Sequence, residues 1–232
     1  MLAMLLCSIP ACSTPSINPI YSPDESEVVI DDRLVGLWGS DDPKKDGTRY
    51  RVLANEHAAD PKLADHPPKS YRLTVESEGG AKKHAAFELR LIRLGATDFI
   101  DCVPAASETR TLGDRYGLAA IPTHIIMPIA MKDNHATIRP LDLGKIHQLL
   151  TEAPNMTPHV IRDRDVIILT GSTRQVQEFF RKITGDDHVF AEPIELIRLK
   201  DEPLPNPPDD AGMKPREKVK PNTPRGRTRQ PH

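Results

Sequence analysis

The sequence predicts a mainly β fold, an antiparallel meander that closes into a barrel or curls into a strongly curved sheet, with two short helices late in the chain. Three observations predict it. Apolar residues between positions 28 and 141 recur with a period of two: Tyr71, Leu73 and Val75 alternate with Arg72, Thr74 and Glu76, the spacing of a strand with one buried face. Short polar turns such as Glu78-Gly79-Gly80 and Gly95-Ala96-Thr97 join these runs, which makes neighbouring strands antiparallel. After Leu141 the apolar spacing lengthens to that of a helix.

Taken in order, Val28-Val29-Ile30 begins the packed chain, and Arg33 to Ser40 forms the first strand, with Gly36 two residues before Trp38, the only tryptophan. In a chain with 4% aromatic residues a lone Trp reads as a packing device, with Gly36 letting another segment approach. Ser40 to Gly47 turns the chain into Thr48 to Leu53. The segment from Ala54 to Lys69, with Pro61, Pro67 and Pro68, reads as a long loop. Ser70 to Glu76, Phe87 to Leu94 and Asp98 to Val103 follow as a three-strand meander. Ala119 to Met131 is the most apolar run; Pro122 and Pro128 cannot donate to a ladder, so this strand is expected to bend, bulge or lie at an edge. Lys132-Asp133-Asn134 turns it into His135 to Leu141. Leu143, Ile146, Leu149 and Leu150 then follow helical spacing behind Asp142 as N-cap. Val166 to Leu169 reads as a buried strand. Ser172-Thr173-Arg174-Gln175 opens a second helix with a capping-box pattern, and Ile194 to Leu199 closes the domain.

The chain has 232 residues, enough for one domain of roughly 150–180 residues that folds without disulfides, plus tails. The 23 prolines cluster at both ends and mark those tails. A net charge of −2 and few aromatic residues exclude a general polyanion-binding or base-stacking protein, so no specific nucleic acid is expected. No apolar run approaches the ~18 residues of a spanning helix. Of three cysteines, Cys7 and Cys12 lie in the leader, and Cys102 reads as a buried small hydrophobe.

The ends carry an address. Residues 1–12 resemble a bacterial lipoprotein signal, with Ile9-Pro10-Ala11-Cys12 standing where the lipobox belongs; the resemblance implies acylation of Cys12 and a membrane anchor. Residues 13–27, with Pro15, Pro19 and Pro23, read as a tether to a domain spanning 28–200. Residues 201–232 read as a disordered proline-rich tail. Its stretch from Lys214 to Arg229 carries seven basic residues against one acidic, suited to anionic lipid or cell-wall polymer.

Between residues 28 and 200 the chain resembles the lipocalin-like bacterial lipoproteins of unknown function. Leu34-Val35-Gly36-Leu37-Trp38, Leu91 to Gly95 leading to Phe99-Ile100-Asp101, Ile121-Pro122-Thr123-His124, and Ile168 to Gly171 before a helix carry the likeness. The resemblance implies a Gly-x-Trp that closes one end of a barrel, the Trp packing on a late basic residue, for which Arg198 is the position to test. Two helices interleaved with late strands depart from the pattern and leave an open curved sheet as the alternative.

Chemistry is thinly signalled. His124 and His135 flank a hairpin near Asp98 and Asp101, but no close-spaced ligand set points to a metal or cofactor. Ser172 lies at a strand-to-helix turn without the G-x-S-x-G pattern, and no Walker lysine follows Gly171. The leading expectation is a non-enzymatic, lipid-anchored envelope protein whose β-domain binds a small apolar or amphipathic ligand. Tyr71, Leu73, Val75, Phe87, Leu89 and Leu91 are its inward-facing candidates. The alternatives are a structural or assembly factor of the envelope, and a histidine-dependent hydrolase built on His124.

Overall fold

Each alternating run becomes a strand because its apolar side chains share one face, which only partner strands around a common core can cover. The computed structural model describes residues 14–40, 47–54, 69–77, 83–105, 123–162 and 166–200. The strands are β1 (Pro15–Ser16), β2 (Val28–Val29), β3 (Gly36–Gly39), β4 (Thr48–Ala54), β5 (Tyr71–Ser77), β6 (Lys83–Leu94), β7 (Thr97–Pro104), β8 (His124–Lys132), β9 (His135–Ile138), β10 (His159–Arg162), β11 (Val166–Leu169) and β12 (Ile194–Arg198). Helices α1 (Leu143–Glu152) and α2 (Thr173–Ile183) flank the β10–β11 hairpin. The Asp142 carboxylate caps α1 by accepting from the Lys145 N–H at 3.1 Å, and Gln175 Oε1 accepts from the Ser172 N–H at 2.9 Å at the start of α2.

Strands β3 to β9 pair in sequence order, and β12 inserts between β9 and β3, closing an eight-stranded barrel in which every pairing is antiparallel. The meander is therefore a closed, lipocalin-like barrel and not an open curved sheet. Following the registers once round from Ile138 returns to β9 about twelve residues further along, a large stagger that tilts the strands and widens the interior.

Strand β8 belongs to two sheets. Its second half pairs with β9, from Ile129↔Ile138 to Lys132↔His135, while its first two residues pair with β1, Pro15↔Ile125 and Ser16↔His124. β1 continues to β11 and β11 to the edge strand β10. Pro128 sits where one partner gives way to the other. Its carbonyl accepts from the Arg139 N–H at 3.0 Å, so its missing donor falls just beyond the last β8–β9 pair. The expected edge or bulge is thus a change of partner in a strand paired on both sides; Ala119 to Pro122 lie outside the described residues.

Two apolar cores result. One fills the barrel, with Trp38, Tyr71, Leu73, Phe87, Leu89, Leu91 and their inward neighbours. The other lies outside it, where Ile92, Phe99 and Ile126 on the outer face of β6–β8 meet Phe179 and Phe180 of α2, Ile146 and Leu150 of α1, and Ile20 of the N-terminal segment. That segment departs from the expected tether. Thr14, Ser16 and Ile20 are fully buried, and residues 14–31 run as a strap across the barrel. Proline density signalled looseness, but Pro15 itself pairs with Ile125 in β1, and the strap's apolar and polar side chains dock it.

Candidate functional site

The barrel has unlike ends. At one, β3 starts and β12 finishes, and the Arg198 guanidinium lies 4.7 Å over the Trp38 ring while donating to the carbonyls of Val35 and Arg33. A Cβ on Gly36 would come within 2.5 Å of that guanidinium, and Gly36 holds φ at +142°, so glycine is required on both counts. Trp38 Nε1 donates to the Leu34 carbonyl at 2.9 Å. The Tyr71 hydroxyl accepts from the Asp31 N–H at 2.7 Å, and burial pushes its phenol up from its ordinary range. These groups seal this end. Arg198 is the basic residue that meets the Trp38 ring.

Further along the interior the inward-facing Tyr50, Ile138 and Ile194 are only partly buried. They border two apolar voids, of about 50 and about 40 Å³, which share Tyr50, Leu73, Ile100 and Ile138 as walls. Leu89, Trp38 and Leu196 reach the first; Phe87, Cys102, Ile125 and Met127 reach the second. Among the described residues no charged side chain lines either void. Of the six inward candidates, Leu73, Phe87 and Leu89 line the voids. Tyr71, Val75 and Leu91 face the same interior without lining them, Tyr71 and Leu91 toward the sealed end. Sequence reading missed Tyr50, Ile100, Ile125, Met127, Ile138 and Ile194, although each obeys the same alternation within its strand. Burial and the nearby Asp101 push the Cys102 thiol up, so it stays protonated and inert.

A polar cluster lies on the outer face. Asp101, 2% exposed, accepts from the Ile20 N–H at 3.0 Å through Oδ2, and its Oδ1 is 2.6 Å from His124 Nδ1. Tyr21 stands edge-on to the His124 ring, with the Arg90 guanidinium 4.7 Å over its other side. From α2, Gln177 Nε2 donates to the Ile20 carbonyl at 2.9 Å and to Glu27 Oε1 at 3.0 Å. Burial alone would raise the Glu27 carboxyl, but the Ser22 hydroxyl and N–H and the Gln177 amide outweigh it and hold it at about 2. Both Asp101 oxygens are engaged, Oδ2 with the strap at Ile20 and Oδ1 with His124, and the Ser16 hydroxyl beside His124 donates to the Asn18 carbonyl at 2.7 Å. His135 is exposed at the opposite end of β8, paired with Lys132, so the hairpin does not bring the two histidines together. Among the described residues no group of three His, Cys, Asp or Glu could hold a metal ion, and no helix is long and apolar enough to cross a membrane. Cys12 and the basic stretch Lys214 to Arg229 lie outside the described residues.

Set beside protein-family models, curated proteins and solved structures, the chain matches none.

Proposed function

We propose that the protein is a non-enzymatic envelope lipoprotein, held to a bacterial membrane through an acyl group on Cys12, whose barrel receives one slender apolar or amphipathic ligand. The asymmetry of the barrel carries this reading. One end is closed by Trp38 and Arg198, whereas among the described residues Tyr50, Ile138 and Ile194, which border the apolar voids, are only partly buried. An inward apolar side chain that water reaches loses burial energy, and a ligand in the mouth would restore it. The voids are far below the roughly 300 Å³ at which drug-sized pockets begin, so the fitting ligand is thin, such as the end of one acyl chain. The basic stretch Lys214 to Arg229 adds attraction to anionic lipid or cell-wall polymer that salt would weaken.

Native mass spectrometry of the detergent-free full chain tests the reading. A co-purifying lipid-sized mass is expected, and Leu73→Trp, which fills the shared wall, should remove it while the thermal midpoint stays within a few degrees. An apo mass for the wild type, unchanged on adding a fatty acid, would end the ligand reading. The small voids favour a second one, a structural or assembly factor of the envelope whose barrel is simply filled. Loss of an envelope crosslink on deleting residues 201–232, with no ligand found, would establish it.

A further inference from the structure

The registers make the small β10–β11–β1 sheet a continuation of the barrel wall. Ser16 pairs with His124 and Leu169, so its side faces the outer core, where Leu169 and Ile167 are buried. The other side is the one Pro15 shares with Ile125, a wall of the second void, and it carries Ile168, Val166 and Val160 by the pairings of β10 and β11. Among the described residues nothing covers this side: Val160 is 52%, Val166 42% and neighbouring Ile17 41% exposed. An apolar apron therefore runs from the barrel mouth, past the point where β8 leaves β9, to the edge of the molecule.

We infer that this apron is the surface by which the protein lies on a lipid bilayer, placing the mouth against the membrane from which its ligand comes. The inference rests on the reading of Cys12 as the anchor. Cys12 stands two positions before Thr14, which is 1% exposed, and two positions of chain reach at most about 7 Å. An anchor so close to the start of β1 allows no free swing, so the face beside β1 meets the bilayer. That face presents Pro15 and the β-branched Ile17, Val160, Val166 and Ile168, and the pairing with Val166 places Arg162 at its rim, a combination of apolar surface and basic edge that suits the interfacial region of a membrane. A protein strand added to β10 would use the backbone edge and leave these side chains uncovered, so bilayer contact accounts for more of what is seen.

The test uses the full chain with Cys7→Ser, coupled through Cys12 to a maleimide-headgroup lipid in vesicles of phosphatidylethanolamine and phosphatidylglycerol. The buried, protonated Cys102 does not compete for the maleimide. Amide exchange in peptides over residues 159–169 should slow roughly fivefold relative to the uncoupled protein, while peptides over 71–77 stay unchanged. The double variant Val160→Glu, Val166→Glu should reverse the slowing. Equal exchange with and without the vesicle, slowing that the double variant leaves intact, or a solution dimer that it dissolves would each overturn the inference. Labelling cells with a clickable fatty acid, wild type against Cys12→Ser, reports on the anchor alone. Protection of 159–169 on coupled vesicles without cellular label would keep the apron and remove the anchor; label without protection would do the reverse.

Discussion

The two cores differ in quality. Eight side chains of the outer core, among them Ile20, Ile92, Phe179 and Phe180, have no exposed surface, whereas inside the barrel only Leu91 reaches that state. The outer core is assembled from three kinds of element, helix, sheet and strap, whose side chains interlock from different directions; Phe180 meets Phe99 and Phe179 edge to face, with ring centroids 5.7 and 5.5 Å apart. The interior void walls come from strands except at Leu34, in the turn before β3, and a strongly staggered eight-stranded wall is wider than its side chains fill. The part of the molecule that resembles a container is thus the looser one, and the tightly packed part is the brace around it.

The largest test of that contrast sets Phe180→Ala against Leu73→Ala. The first empties a fully packed site and should cost about 3–5 kcal/mol; the second enlarges space already present and should cost about 2 kcal/mol, both read from urea unfolding. Equal losses would break the comparison. Asp101→Ala comes next, because it strands the buried Ile20 N–H; a loss of about 2–3 kcal/mol is expected, with faster amide exchange over residues 17–22. Asp101→Asn, which keeps an acceptor, should lose less than half of that. The smallest effect sharpens the picture of the strap. Glu27 has a folded pKa of about 2 against an ordinary 4.5, so its contribution is complete above the ordinary value and is lost as pH falls toward 2. For so accessible a group, solvent screening leaves on the order of 1 kcal/mol, measurable as a pH-dependent stability step that Glu27→Gln abolishes.

Strand-by-strand the architecture was legible, because period-two runs such as Tyr71-Leu73-Val75 and the helical spacing of Val176, Phe179, Phe180 and Ile183 are local signals. Barrel closure was not, since it depends on β12 meeting both β9 and β3, a pairing no local pattern encodes. The strap was hidden for a related reason. Its docking depends on Asp101, 81 residues away from Ile20, and an aspartate within an apolar strand can equally mark a turn, a site or a buried acceptor. Tyr50, Ile100, Ile138 and most of the other void-lining residues were missed because alternation reports which way a side chain faces, not at what height in the barrel it lies. Gly36, Trp38 and Arg198 could be read together because a glycine beside a lone Trp implies a close visitor, and a resemblance supplied the candidate.

The junction of β3 and β12 also sets an order of events. It has two paired residues on each side, Ile197↔Gly39 and Arg198↔Trp38, and its partners lie about 160 positions apart in the chain. Apart from the β9–β12 pairing, every other barrel pairing joins strands that emerge earlier, so a growing polypeptide carries β3 as an open edge until its last strand arrives. Closure is then the slow, late step, and the Arg198 guanidinium is the latch that holds it. Arg198→Ala should lengthen the lifetime of the open form and expose it to proteases and aggregation before the native state loses much equilibrium stability.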